Sequence, residues 1–305
     1  MANELANHNY QAIDATVIAD SKNEQTGDRI TSFVLTLPRI VLAEFNTHRA
    51  LSRNSASSRA IPIKTMLEIV RATPFVPIRW QKEHKGMQGT EYHSETDSEM
   101  LAEKWLLART AAALHAEQLS AYPNGGVTKQ LCNRLLEPFL WHTVIATGTE
   151  LENFFALRAH PAAEIHIAKL AEMALDALNA STPKMLMAGQ WHIPFGNNLD
   201  TGRLKTIMFK LYDAPDVSVL VKDAMVKIAT ARCARVSYLN FEGKDDYYAD
   251  LKLYDMLAEM GHWSPFEHCA TAMTKGGQSG NFNGFVQHRK TFIKENKTDS
   301  RVIAK

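Results

Sequence analysis

IDATVIADSKNEQTGDRITSFVLTL, residues 13–37, holds two runs rich in β-branched residues on either side of the polar segment SKNEQTGDR. Such runs flanking a polar turn read as a β-hairpin, IDATVIAD (13–20) against ITSFVLTL (30–37). Pro38 follows, suited to the first position of a helix, and RIVLAEFNTHR (39–49) continues as a short helix. On it Glu44 and His48 share a face at i, i+4, as do Phe45 and Arg49. Beyond it the central third reads as helical. Thr96 and Glu99 have the spacing of a capping box. Leu101, Trp105, Ala108, Ala112 and Leu119 then recur at helical intervals up to Pro123-Asn124-Gly125-Gly126. A second helix is expected over about 127–137, ended by Pro138. A third covers about 162–179, with Ile167, Leu170, Ala171, Ala174 and Leu178 on one stripe. Both stripes read as core faces.

Residues 181–215 are broken by Pro183, Gly189, Pro194, Gly196 and Gly202 and read as a surface connection. The last third opens with a helix near 217–230 and a short strand, ARVSY (234–238). Another helix follows, with Tyr247, Leu251, Tyr254 and Ala258 in register and Gly261 as its C-cap. Hairpin, helices, then strand-helix-strand favours an α+β fold over a doubly wound sheet. The expectation is a mixed or antiparallel sheet packed with a central helical bundle.

The chain has 305 residues, 34 Lys+Arg against 33 Asp+Glu, and a formal net charge of +1. With 45 % apolar and 22 % charged residues it has the composition of a soluble globular protein. Near-neutrality excludes a bulk electrostatic binder of nucleic acid or of an anionic membrane. No apolar stretch approaches the roughly 18 residues of a membrane span. The N-terminus lacks the basic-then-apolar pattern of a signal peptide, so a cytoplasmic protein is expected. Cys132, Cys233 and Cys269 are too few and too scattered for a disulfide framework or a zinc pair, and read as buried thiols. One domain is expected over 1–305. Its parts are an N-terminal hairpin and anion-binding motif (10–64), an insertion (65–97), a helical core (98–180), the connection (181–215) and a C-terminal segment (216–292).

The common templates for chemistry fail. There is no P-loop, no GxGxxG between strand and helix, no HExxH and no CxxC. His160, Glu164 and His166 lie close together, but His166 does not share the others' helical face, so no metal site is expected. Three segments remain. FNTHRALSRNSASSRAIPIK (45–64) carries Arg49, Arg53, Arg59 and Lys64 and no acidic residue. Arginine forks among small polar residues suit a phosphate, because backbone N–H groups can then approach an anion. A solvated surface loop is the competing reading. In TGTELENFFALRAH (147–160), Asn153 and Arg158 flank Phe154, Phe155 and Leu157. An arginine in such a run meets either a buried carboxylate or a ligand, and Arg134 in CNRLLEPF is similar. GHWSPFEH (261–268) places His262, Glu267 and His268 near Trp263 and Phe266, which suits either a capped turn or the face of a flat cofactor. KGGQSGNFNG (275–284) lacks the Lys-Ser/Thr of a nucleotide loop and reads as a flexible turn.

Together these segments resemble the flavin-dependent thymidylate synthases. That family's motif is Arg-His-Arg, seven residues, Ser, and a further Arg two positions on. Here it reads Thr47-His48-Arg49, ALSRNSA, Ser57 and Arg59. NRLLEPF with TGTELENFFALR resembles a second signature, and CARVSY with HWSPFEH a third. The resemblance spans about 30–290. It implies that Ser57, Arg59, Arg134 and Arg158 bind the phosphate and base of deoxyuridylate, with Arg158 against the pyrimidine and Ser57 beside it as catalytic groups. It implies flavin and folate contacts from His48, Arg49, Asn153, Ser237, His262 and Ser264. The implied reaction moves a methylene from methylenetetrahydrofolate to C5 of dUMP, with FAD as cofactor and NADPH as reductant, in a homotetramer.

The chain also departs from that pattern. Thr47 stands in place of the first Arg, Ser55 in place of an acidic residue, and Ala162-Ala163-Glu164 in place of His-Ala-Gln. The third signature follows the first by about 200 residues instead of preceding it, as in a permuted arrangement whose C-terminal strand-helix returns to the N-terminal hairpin. Gln287 and Arg289 in GFVQHRK (284–290) are expected to offset Thr47. These departures keep two alternatives open. One is a related pyrimidine-deoxynucleotide one-carbon transferase, such as a hydroxymethylating enzyme. The other is a non-catalytic nucleotide-binding scaffold. From Phe45 to Leu67 there are four formal positive charges and no negative one, which suits a small dianion in one pocket.

Overall fold

The computed structural model describes residues 5, 7–55, 57–86, 89–213, 216–236, 246–293 and 295. The expected hairpin is present as β1 (Asp14–Asn23) and β2 (Arg29–Pro38), paired antiparallel from Asp14 opposite Thr36 to Lys22 opposite Arg29. Pro38 closes β2 instead of opening a helix. Buried from Ile30 to Pro38, β2 has the pattern of a strand covered on both faces. Three further strands join it: β3 (Ser52–Ser55), β4 (Trp141–Gly148) and β5 (Lys184–Leu186). Among the described residues the order is β3-β4-β2-β1-β5, with β5 parallel to β1 and the other pairs antiparallel. The sheet is therefore mixed and the fold α+β. β4 lies within a third of the chain read as helical. Its run Thr143-Val144-Ile145 is β-branched, and such side chains fit a pleated surface between neighbours better than a helix.

The helices are α1 (Leu42–Phe45), α2 (Ile63–Ala72), α3 (Glu95–Ser120), α4 (Lys129–Arg134), α5 (Glu152–Arg158) and α6 (Ile165–Ala180). α1, preceded by a 3-10 turn at Arg39–Val41, ends at Phe45, so the helix expected through Arg49 is cut short. The start of α3 also differs from the expected capping box. Its cap is Ser94, whose hydroxyl accepts from Asp97 N–H at 3.2 Å. Nor is the α3 stripe a core face: Ala108 and Leu119 are exposed, and Leu101, Trp105 and Ala112 are only partly covered. The buried positions are Ala113 and Ala116, where α2 and α4 approach closely. The α6 stripe is as expected, with Ile167, Leu170, Ala171 and Ala174 buried and Leu178 partly so. α4 is shorter than expected, and Pro138 sits inside a separate 3-10 turn, Glu137–Phe139.

Alternation along β2 and β4 distributes two cores. Phe33, Leu35 and Leu37 with Val144 and Ala146 meet α6 and Phe154. Val34 and Ile145, one residue along, meet Cys233 and Val236 on the opposite face. That second cover comes from α8, one of three C-terminal helices: α7 (Thr201–Tyr212), α8 (Ser218–Arg235) and α9 (Tyr247–Met260). The expected connection at 181–215 therefore holds β5, α7 and a two-residue strand, β6 (Trp191–His192). Leu204, Ile207 and Met208 of α7 are buried at helical spacing between the glycine and proline breaks. Ala234 and Arg235 of the expected strand ARVSY end α8 instead, and its residues 237 and 238 lie outside the described set. α9 and its Gly261 cap, at φ 73°, are as expected. All three cysteines are buried and free. Among the described residues no helix is long and apolar enough to cross a membrane.

The C-terminal segment returns to the first sheet. β7 (Ala270–Ala272) pairs with β6, the tight pair β8 (Gln278–Ser279) and β9 (Phe282–Asn283) replaces the expected flexible turn, and β10 (Phe285–Gln287) pairs with β7. Asn23 Nδ2 donates to the carbonyls of Met273 at 3.0 Å and Gly284 at 2.8 Å. Gly284 has φ 69°, and a Cβ there would strike the Asp28 carboxylate and the Thr26 hydroxyl. Gly284→Ala is therefore expected to cost about 2 kcal/mol, from a left-handed backbone and a forced shift of the 23–28 turn. Urea denaturation followed by circular dichroism measures it; an unchanged midpoint would refute the docking role.

Candidate functional site

Arg158, in the last turn of α5, joins two sequence segments at one point. Its Nε donates to His48 Nε2 at 2.9 Å and its NH1 to Glu44 Oε2 at 3.2 Å. Glu44 and His48 were expected to share one helical face. The helix ends between them, and the arginine bridges them instead. Phe154 sets the imidazole in place edge-on, with ring centroids 5.0 Å apart, and itself packs edge-on to Phe45 at 5.8 Å. Since Nε2 accepts, the ring proton belongs on Nδ1. Burial, then the Arg158 and Arg53 guanidiniums, push the His48 pKa below its ordinary value, so the ring stays a neutral acceptor. Around this cluster lies a cavity of about 180 Å³, lined among others by Thr47, Arg49, Glu150, Asn153 and Leu157.

His48, Arg49, Asn153 and Arg158 are thus brought together, with Arg49 and Asn153 exposed at the lip and Arg158 half-buried. Thr47 contributes no cation here; its hydroxyl turns back to donate to the Glu44 carbonyl at 2.7 Å. Arg53, which sequence reasoning gave no separate role, braces the turn by donating through NH1 to the carbonyls of Asn46 and His48, both at 2.9 Å.

The other expected residues fall in two further places. Ser57 and Arg59 lie in the turn after β3, where Ala60 N–H donates to the Ser57 carbonyl at 3.0 Å. Asn133 Nδ2 ties that turn to α4 by donating to the carbonyls of Ser58 at 2.7 Å and Ile61 at 3.0 Å. Arg134 is the next residue, and both Arg59 and Arg134 are exposed. None of these three lines the 180 Å³ cavity. Ser264 begins a 3-10 turn, Ser264–Glu267, beside β3, and its hydroxyl donates to Asn54 Oδ1 at 3.1 Å. His262 is exposed just before it. Ser237 lies outside the described residues. Gln287 is buried, with Nε2 donating to Ser52 Oγ at 3.1 Å and Asn281 Oδ1 at 2.9 Å. Arg289 is held by the carboxylates of Glu267 and Glu295. Neither side chain reaches Thr47 in this arrangement; both secure the C-terminal segment, because buried amides and half-buried guanidiniums take the nearest protein partners.

A buried polar chain under the sheet has no counterpart in the sequence reading. Ser21 Oγ meets His192 Nδ1 at 2.9 Å, His192 Nε2 meets Ser32 Oγ at 2.9 Å, and Ser32 Oγ meets Thr147 Oγ1 at 2.6 Å. Thr147 Oγ1 then meets His268 Nδ1 at 2.9 Å. His268 Nε2 is buried with no partner among the described residues. Burial holds both imidazoles neutral, pushing each pKa down to about 3. The chain anchors HWSPFEH to the strand that leads into α5. His268 was legible as a polar tip of that motif, but His192, between two glycine-marked breaks, gave no signal.

No family model matches the sequence, and no curated protein does. Solved structures do show likeness. One is the UMP/dUMP methylase PolB from Streptomyces cacaoi bound with 5-Br UMP, at TM-score 0.46 and 16 % identity, covering 54 % of this chain and 88 % of that one. Another is thymidylate synthase X (ThyX) from Helicobacter pylori with FAD and dUMP, at TM-score 0.31 and 17 % identity, covering 49 % of this chain and 67 % of that one. A second structure of the Helicobacter pylori flavin-dependent thymidylate synthase with FAD and dUMP gives TM-score 0.33 and 19 % identity.

Proposed function

We propose that the chain is a pyrimidine-deoxynucleotide one-carbon transferase, methylating dUMP to dTMP with methylenetetrahydrofolate, FAD and NADPH. The observation that carries this reading is the Arg158–His48–Glu44 cluster, which joins the first and second signatures at one cavity. In this reading Arg158 turns its remaining N–H groups towards a pyrimidine carbonyl, while Glu44 and His48 hold its plane. A planar fork fixed from behind gives directional donors, which a lysine could not supply. Ser57, Arg59 and Arg134 then serve a phosphate group, which calls for a ligand long enough to run from the cavity to the turn after β3.

A dinucleotide cofactor is tested by the size of the site. Pockets that enclose a small molecule measure about 300–1,000 Å³, and this cavity has about 180 Å³. It therefore takes one end of FAD, with exposed Arg49 and Asn153 at the lip and Ser264 and His262 further along the surface. The remaining wall belongs to a second copy in the proposed homotetramer. When bound, the reduced flavin supplies the hydride that completes the methyl group. Arg49 and half-buried Arg158 supply the cations of the lining, and neutral His48 adds no mobile proton.

Thr47 favours a second reading, transfer of a different one-carbon group such as hydroxymethyl, because the cation that the resemblance expects is replaced by a hydroxyl spent on Glu44. One experiment separates the readings. Full-length protein is supplied with FAD, NADPH, methylenetetrahydrofolate and dUMP carrying tritium at C5, and tritium release and product mass are recorded. Tritium release with dTMP supports methylation. Release with a heavier product establishes the second reading. A colourless protein that neither takes up FAD nor releases tritium overturns both and favours a scaffold.

A further inference from the structure

The turn between β3 and α2 has its carbonyls taken up by donors. The Ser57 carbonyl accepts from Ala60 N–H at 3.0 Å, within the turn itself. The Ser58 and Ile61 carbonyls accept from Asn133 Nδ2 at 2.7 and 3.0 Å, and the Ala60 carbonyl from Lys129 Nζ at 3.1 Å. Both of those donors stand on α4. The peptides here are trans, and a trans unit is planar with its C=O and N–H opposed. Asn133, by holding the Ser58 carbonyl, therefore turns the Arg59 N–H the other way. The N–H groups of Ser57, Ser58 and Arg59 meet no acceptor among the described residues.

Asn133 itself is 0 % exposed. Two carbonyls face its amide, so the nitrogen must lie on their side. Its Oδ1 is buried with no partner among the described residues. An unpaired buried acceptor lowers stability, so the side chain is explained by what its two N–H groups hold. Arg134 is the next residue of α4, and neither its guanidinium nor that of Arg59 has a partner among the described residues. The Glu137 carboxylate, which accepts from the Ser58 hydroxyl at 3.3 Å, is already paired with Arg39 at 3.3 Å. Unpaired N–H groups beside two unpaired guanidinium forks suit a dianion.

We propose, on the transferase reading above, that Asn133 is a positioning residue for the phosphate of the nucleotide. It touches no ligand. It locks the Ser58–Arg59 peptide so that the Arg59 N–H is presented outward, and it fixes the turn that carries Arg59 against the helix that carries Arg134. The two guanidiniums and the backbone donor then meet one phosphate without rearranging. Without Asn133 the Ser58–Arg59 peptide is free to rotate, and a carbonyl can face the anion instead.

The test is tritium release from C5 by the full-length chain with its cofactors, on dUMP and on deoxyuridine, which lacks the phosphate. Asn133→Leu has nearly the same size but no donors. Its KM for dUMP is expected to rise about tenfold or more, as for loss of a charge-assisted hydrogen bond, while kcat falls less than about threefold. Its kcat/KM on deoxyuridine is expected to change less than about threefold, because no phosphate is there to be held. Asn133→Ala is expected to behave alike, and decides alone if thermal unfolding shows that the leucine variant is not folded. An unchanged KM for dUMP, a loss shared equally by kcat, or an equal loss on deoxyuridine would each overturn the positioning role alone. No tritium release from dUMP by the unaltered chain would overturn the transferase reading, and this role with it.

Discussion

Arg158→Ala is expected to weaken dUMP binding about a hundredfold and to lower turnover at least as much. The substitution removes donors that meet His48 at 2.9 Å and Glu44 at 3.2 Å, together with the donors left for a ligand. Hydrogen bonds to charged groups contribute about 1.5–3 kcal/mol each, and about 2.7 kcal/mol is a hundredfold. Arg158→Lys separates charge from geometry. Lysine keeps the cation but cannot address His48, Glu44 and a carbonyl in one plane, so most of the loss is expected to persist. Calorimetric titration with dUMP, tritium release from C5 and thermal unfolding midpoints measure the three consequences separately. An affinity unchanged in the lysine variant would show that only charge matters at this position.

The second large effect is on stability against pH. His142, His192 and His268 have pKa values pushed down to about 3, and His288 to about 4, chiefly through burial. In the unfolded chain each titrates near about 6.5. As pH falls below that value the unfolded state binds protons that the native state refuses. The native preference for neutral rings therefore contributes fully above about pH 6.5 and is lost progressively as pH falls towards the folded values. Each histidine gives a slope of about 1.4 kcal/mol per pH unit, and the four act in the same direction. Since domain stabilities are about 5–15 kcal/mol, cooperative unfolding is expected within one to three pH units below 6.5. Urea midpoints from pH 8 to pH 5, with proton uptake measured calorimetrically, test this. A slope equivalent to less than one proton would refute it. His268→Asn is expected to flatten the slope by about one proton.

Legibility in the sequence followed local signals. The hairpin, α6 and α9 are each written in a contiguous run whose period matches its element, so pattern alone located them. β4 was missed because its eight residues, Trp141–Gly148, were read with their helical surroundings; only tertiary pairing with β2 and β3 makes them a central strand. α3 failed differently. Its stripe of Leu101, Trp105, Ala108, Ala112 and Leu119 keeps helical spacing, yet Ala108 and Leu119 are exposed and the rest only partly covered, because burial depends on what lies opposite. At the site, Arg158 was legible as an arginine too apolar in context to stay alone, and its partners proved to be a carboxylate and an imidazole. Arg53 and His192 were not legible. One acts through backbone carbonyls, and the other through hydroxyls 171 and 160 residues away, so neither leaves a spacing to read.

The docking of the C-terminal segment on the first sheet has a consequence for the order in which the molecule is made. β3 is the outer strand of the first sheet, paired among the described residues with β4. Asn281 Nδ2 donates to the Ala50 carbonyl beside it, a separation of 231 residues, and Gln287 reaches Ser52 across 235. Closure of such long loops comes late, since its entropic cost is met before the contacts form. During synthesis from the N-terminus, the arginine-rich stretch around β3 emerges early; β4 covers one side of it once residues 141–148 follow, and the other side waits for the C-terminal segment. Its four cations, its serines and the short span of β3 fit that interval. They keep an exposed edge hydrated and mutually repelling until Asn281 and Gln287 leave the ribosome and seal it.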